Sequence, residues 1–178
     1  DMSERQFREF YMPPYKAGVD AGALSVMTAF NEYDGVPATG NQYLLKDLLK
    51  GEWNFQGFVV TDYTSINEMV HHGYARDDAE AGVKAVNAGV DMDLQGEVYF
   101  SYLRGLVDSG FVREKTIDNA VRRILNVKAK LGLFDDPYLY CDRARENQVV
   151  SNPEIKALSR DAARRSMVLL KNEGCLPF

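Results

Sequence analysis

The sequence predicts an α/β fold with parallel strands, and three observations carry that reading. Short apolar runs at residues 23–30, 57–60 and 90–94 recur about every thirty residues, each preceded by a helical pattern, the rhythm of βα units. The middle run, Gly57-Phe58-Val59-Val60-Thr61-Asp62-Tyr63, stays apolar until it meets a carboxylate, as expected of a parallel strand covered on both faces. Glycines and turn residues separate the runs from the helical patterns. Asp62 is the informative residue here. A carboxylate at the end of a buried strand costs free energy unless it is paired, hydrogen-bonded or used. In α/β barrels the carboxyl ends of the strands carry the catalytic groups. Asp62 is therefore either a structural anchor or a reacting group.

The elements follow in order. Ser3 and Gln6 fit a capping box that opens the first helix. It should run to about Asp20, with Gly22 just past its end, and Pro13 and Pro14 should kink or break it. Residues 23–30 read as a strand, and residues 31–37, rich in turn residues, as a loop. Asn41 caps a second helix through Leu49 and Lys50, with Gly51 as its C-cap and Trp53 packing its end against the sheet. Beyond the strand of Asp62, an irregular polar segment leads to a helix from about Asp77 to Asn87, which carries an apolar stripe of alanines, Val83 and Val86 and stops at Gly89. Val90-Asp91-Met92-Asp93-Leu94 is the third strand. Helices follow over residues 98–109 and 114–131, the second with Ile117, Val121, Ile124, Leu125, Val127 and Leu131 near helical spacing. Residues 132–150 read as a connecting loop. Asn152-Pro153-Glu154 starts a last helix to about Arg165, with Pro153 in the first position, where its missing donor does no harm. The apolar run 166–172 then leads to Leu176-Pro177-Phe178, read as the entrance to a further domain. Three parallel strands cannot close a barrel, which takes eight strands and about 250 residues. The sheet is therefore either open and small or part of something larger.

Composition narrows the function classes. With 178 residues, 46% hydrophobic and 26% charged, the chain suits a globular domain with a real core. The net charge of −5 and the lack of a basic stripe argue against nucleic acid, and no apolar run is long enough for a transmembrane helix. No signal-peptide pattern is visible. Cys141 and Cys175 fit no metal or redox spacing, and two cysteines make no disulfide framework. His71 and His72 face apart on a helix, which reads as a solvated pair rather than a metal site. Asp135-Asp136 before Pro137 reads as a turn, since the spacing of a calcium loop is missing. Asp91 and Asp93 share one face of their strand by period two. Such a pair could make a metal or acid/base site, but the structural account is preferred: one pairs with a polar group of a neighbouring strand inside the barrel and the other caps a helix.

Several motifs then converge on one family. Val26-Met27-Thr28-Ala29-Phe30-Asn31, with Asp34-Gly35-Val36-Pro37 and Asn41, resembles the sixth strand and loop of glycoside hydrolase family 3. Leu44-Leu45-Lys46 to Trp53, then Phe55-Gln56-Gly57-Phe58-Val59-Val60-Thr61-Asp62, resembles that family's nucleophile signature. Ala88-Gly89-Val90-Asp91-Met92-Asp93 resembles its last barrel strand, and Arg122-Arg123-Ile124-Leu125-Asn126-Val127-Lys128 with Leu131-Gly132-Leu133-Phe134 the helix that follows. Ser166-Met167-Val168-Leu169-Leu170-Lys171-Asn172 with Leu176-Pro177 resembles the link into the second domain. The parts occur in the family's order over nearly the whole chain, and most resemble its bacterial β-glucosidases.

The resemblance implies an incomplete (β/α)8 TIM-barrel segment, about the last three parallel strands with their helices, plus a helical linker. Residues 1–134 would be the C-terminal part of the family's N-terminal barrel domain, and residues 135–178 the linker and the start of a second domain. It implies a retaining, exo-acting β-glycosidase, with β-linked oligosaccharides or glycosides as substrates and a covalent glycosyl-enzyme. Asp62 matches the nucleophile. Met27 matches a residue lining the sugar pocket. Phe30 stands where some relatives carry a tyrosine, so a hydroxyl near the nucleophile is missing. Tyr63 stands where many relatives have tryptophan or histidine and lines the pocket. The family's Lys-His strand and its arginines are absent, and so is the acid/base glutamate, which belongs to the second domain. No cofactor and no metal are implied, since the attacking group is a carboxylate and the second substrate is water. The isolated chain is expected to be inactive and to self-associate through its exposed flanks. The family points to a periplasmic or secreted protein. A half-barrel that serves as a non-catalytic scaffold or self-assembly module is the competing reading.

Overall fold

A computed structural model describes residues 2–150 and 152–176, and the chain divides into two compact units, residues 1–135 and 136–178. The first helix is built from three consecutive segments: α1 (Glu4–Gln6), a π-helical stretch (Phe7–Tyr11) and α2 (Met12–Asp20). Ser3 Oγ accepts from the Gln6 amide at 3.2 Å, the Ser3 half of the expected capping box. Pro13 and Pro14 cannot donate to the preceding turn. The helix answers by widening to π geometry just before them, with the Met12 amide reaching back to the Phe7 carbonyl, rather than by breaking. Gly22, at φ 95°, closes it.

β1 (Ser25–Met27) is shorter than the apolar run it sits in. Residues 31–37 are more than a loop. β2 (Glu32–Tyr33) and β3 (Val36–Pro37) pair antiparallel around Asp34 at φ 54° and Gly35 at φ 70°, the positive pair of a type I′ turn. A 3₁₀ turn (Ala38–Gly40) follows, and Asn41 Oδ1 then accepts from the Leu44 amide at 3.1 Å at the head of a π-helix (Tyr43–Glu52). Gly51 does not end this helix. It lies inside it, and the chain turns at Asn54 instead, φ 53°, a residue type that tolerates the left-handed region. Trp53 packs half-buried against the core, as expected.

β4 (Phe58–Val60) pairs parallel with β1 in the register Ser25 to Phe58, Val26 to Val59 and Met27 to Val60. A Cβ at Gly57 would overlap the Leu24 carbonyl, so only glycine admits this approach. The third run is not a full strand. The amides of Asp91 and Met92 both donate to the Val59 carbonyl, at 2.9 and 3.0 Å, and two amides on one acceptor interrupt a ladder. What remains is a single parallel bridge between Met92 and Val60. The order across the sheet is therefore β1, β4, then the Met92 segment, all parallel.

The polar stretch after Asp62 contains α3 (Ser65–His71), too short to show a period in the sequence. α4 (Asp78–Ala88), α5 (Val98–Asp108) and α6 (Glu114–Lys130) lie close to where periodicity placed them. The core gathers Leu45, Leu49, Val59, Ile66, Met69 and Ala85 between the sheet and these helices. Arg123 of α6 donates to the carbonyls of Phe55 and Gly57, both at 3.2 Å, and so anchors α6 to the entry of β4.

The second unit holds α7 (Arg143–Val150) and α8 (Pro153–Ser166). α7 stands where a loop was expected. It buries no residue, so no apolar stripe announced it, and it starts on the Asp142 carboxylate, which accepts from the Ala144 and Arg145 amides. Asn152 caps α8 through the Glu154 amide at 2.8 Å. Asp136 Oδ1 accepts from the Tyr138 amide, a local turn. Cys141 and Cys175 are free and exposed. Pro177 and Phe178, the end of the expected domain entrance, lie outside the described residues. Among the described residues no helix is long and apolar enough to cross a membrane.

Candidate active site

The site is built where the parallel segments end. In-register partners of a parallel pair point to the same side. Val59 is fully buried against the helices, whereas Met27 and Met92, which flank Val60 in register, are 54% and 40% exposed. The Met27-Val60-Met92 row thus lies on the open face of the sheet. Asp62 comes two residues after Val60, just past the end of β4, and is half-buried. Its Oδ1 accepts from the Tyr63 amide at 2.6 Å. Tyr63 and Phe30, one at the end of β4 and one past the end of β1, are both exposed. All four sequence-predicted residues therefore stand at the same end of adjacent parallel segments.

Asp62 leads into a tight turn. The Ser65 amide donates to the Asp62 carbonyl at 3.2 Å, and Thr64 between them has φ 54° and ψ 16°. The Thr64 amide donates to the Leu94 carbonyl at 3.2 Å, and Thr61 Oγ1 accepts from the Leu94 amide at 2.8 Å. The third segment is thereby laced to the nucleophile candidate's own loop. Sequence reasoning missed Met92 and Leu94. Period two could have found them, because the alternation that aligns Asp91 with Asp93 aligns Met92 with Leu94 on the other face.

Asp91 and Asp93 have structural partners. Asp91 Oδ2 accepts from the Val59 amide at 2.8 Å and from Lys50 Nζ at 2.7 Å, with Arg123 4.0 Å from its other oxygen. Burial pushes the Asp91 carboxyl above its ordinary value and the Lys50 ammonium below its own, and each one's charge partly restores the other. Asp93 Oδ2 accepts from the Val98 and Tyr99 amides at 2.8 and 3.1 Å and so caps α5. His72 Nδ1 lies 2.7 Å from Glu32 Oε1, joining α3 to the β2–β3 hairpin, while His71 points into solvent. Among the described residues no three His, Cys, Asp or Glu side chains converge on one point.

A strand-end carboxylate facing the open side of parallel βα units, beside exposed apolar and aromatic side chains, defines a class: an α/β protein with a candidate carboxylate site at its strand ends. The comparisons narrow it. The family model of the glycosyl hydrolase family 3 N terminal domain matches residues 1–127, and the chain belongs to that family. A periplasmic β-glucosidase of Salmonella typhimurium is 46% identical over 175 residues, 97% of this chain and 23% of the relative. A β-xylosidase of Formosa agariphila is 36% identical over 185 residues, 99% of this chain and 25% of the relative. A crystal structure of β-glucosidase from Listeria innocua superposes with a TM-score of 0.83 at 40% identity, covering 99% of this chain and 25% of that one. That enzyme has also been solved with glucose and, as a mutant, with laminaribiose. The chain spans about a quarter of the length of these relatives.

Proposed function

We propose that residues 1–134 are the last three strands of a (β/α)8 barrel with their helices, and residues 135–178 a linker and the start of a second domain. The parallel order of β1, β4 and the Met92 segment supports this, as does the quarter-length match to the relatives. In this reading the parent protein is a retaining, exo-acting β-glycosidase that releases a β-linked sugar from the non-reducing end. The names of the relatives favour glucose, with xylose second, and a periplasmic location.

The observation that carries the reading is the position of Asp62: a half-buried carboxylate just past the end of β4, the middle of the three segments, above the Met27-Val60-Met92 row. Asp62 is the nucleophile. The Tyr63 amide holds Oδ1, which leaves Oδ2 to attack the anomeric carbon as the bond to the leaving oxygen breaks. A carboxyl group outside these residues, about 5–5.5 Å from Asp62, protonates that oxygen and then takes a proton from the water that releases the sugar. Met27, Phe30 and Tyr63 offer apolar and aromatic surface to the C–H faces of the sugar. Only a carboxylate, an acid and water are needed, so the reading requires no cofactor.

Two measurements test it. The purified 178-residue chain should show no turnover of an aryl β-glucoside, because the acid/base group and the hydroxyl ligands are missing. In the intact parent protein, Asp62→Asn should cost roughly a thousandfold or more in turnover. A variant that keeps its rate removes Asp62 from the role. A parent protein with no glycosidase activity at all leaves the half-barrel scaffold as the better account.

A further inference from the structure

We propose that Thr39 is a positioning residue for Asp62, acting through a row of buried hydroxyls; the proposal rests on the reading of Asp62 as nucleophile. Thr28, Thr39 and Ser65 come from β1's exit, the 3₁₀ turn and the first residue of α3, and each is at least 97% buried. Thr28 Oγ1 and Thr39 Oγ1 are 2.9 Å apart, and Thr39 donates to Ser65 Oγ at 3.1 Å. A hydroxyl has one proton. Since Thr39 gives its own to Ser65, Thr28 must be the donor to Thr39, and the row has a single direction, Thr28 to Thr39 to Ser65.

The row ends on the turn that carries Asp62. Ser65 closes that turn through its amide to the Asp62 carbonyl. Inside it, Thr64 holds a left-handed conformation, φ 54° and ψ 16°. A β-branched residue there is a genuine outlier and persists only where its surroundings over-determine it. Two restraints do so. On one side the Leu94 carbonyl takes the Thr64 amide. On the other the hydroxyl row holds Ser65 to β1 and to the 3₁₀ turn. Three hydroxyls buried in a row are costly unless each is satisfied, and packing alone would be served by valine or alanine at the same positions. Their use is to keep a strained turn, and with it the direction of the Asp62 carboxylate.

Thr39→Val keeps the shape and removes the central link; Thr39→Ser keeps the link. In the 178-residue chain, amide hydrogen exchange read by NMR should quicken at Ser65 by about tenfold or more in Thr39→Val, with little change in Thr39→Ser and none at Val59 in β4. In the intact parent protein, Thr39→Val should lower kcat about tenfold or more with KM within about threefold, because a misplaced nucleophile loses rate rather than binding, and Thr39→Ser should restore it. A merely structural threonine would lower the melting temperature and leave kcat per folded molecule unchanged; that result, or unchanged exchange at Ser65, overturns the proposal. Should Thr39→Val not fold, Ser65→Ala carries the same two expectations. Asp62→Asn is measured alongside. If it retains turnover while the exchange result holds, the nucleophile reading has failed and the coupling of the turn has not.

Discussion

Lys50 and Asp91 show what a single residue can decide. The Asp91 side chain is 5% exposed and the Lys50 side chain 11%, so each charge is out of water and depends on the other. Removing Lys50 leaves the buried Asp91 charge with only Arg123, 4.0 Å from its other oxygen. Lys50→Met should therefore destabilise the chain by about 3–5 kcal/mol, measured by urea unfolding. Lys50→Met combined with Asp91→Asn should cost clearly less, because asparagine still accepts from the Val59 amide without carrying a charge. Equal losses in the two variants would mean that the pair is not what holds this corner. Alternation put Asp91 and Asp93 on one face, and the structural account was preferred to a metal or acid/base site, but the sequence could not name Lys50 as the partner. Lys50 is separated from Asp91 by 41 residues, and no local pattern links them.

At the scale of elements, α4 has the clearest start signal in the chain. Asp77 Oδ1 accepts from the Glu80 amide at 2.9 Å, and Glu80 Oε2 accepts from the Arg76 amide at 3.0 Å. These backbone donors hold both carboxyls below their ordinary values. Folded values lower than unfolded ones give stability that is fully present above the unfolded values and lost as pH falls through the folded ones. The melting temperature should accordingly fall between about pH 5 and pH 3. Asp77→Asn keeps the cap oxygen without the titration, so its fall should be shallower; parallel curves would count against Asp77 as a contributor. The elements that were legible carry a clear period or a strong cap: α6 its apolar period, α8 its Asn152 cap, and α4 both. Those that were not are α3, α7 and the β2–β3 hairpin. α3 is too short to show a period and α7 has no buried face, while the hairpin depends on a two-residue turn read only as loop chemistry.

For the whole molecule, the parallel segments leave open sides. Among the described residues no strand pairs with the outer edge of β1, and an apolar groove of about 420 Å³ lies along β1, lined by residues such as Tyr15, Val19, Val26, Leu44 and Trp53. Unpaired edges beside apolar surface invite association. Sedimentation of the purified 178-residue chain should show species heavier than a monomer at micromolar concentration, and a clean monomer would argue against this.

By itself the sequence determined the βα rhythm, the parallel class, the main helices and the strand-end place of Asp62, because these rest on period, caps and apolar runs within a few residues of one another. The family, too, was legible from motifs in their order. Tertiary structure alone decided that the third run makes one bridge rather than a strand, that Lys50 answers Asp91, and that Thr28, Thr39 and Ser65 form a row beneath the Asp62 turn. The physical reason is the same in each case. A hydrogen bond or ion pair between residues far apart in the chain leaves no trace in local spacing, and only folding brings its two ends within 3 Å or so of each other.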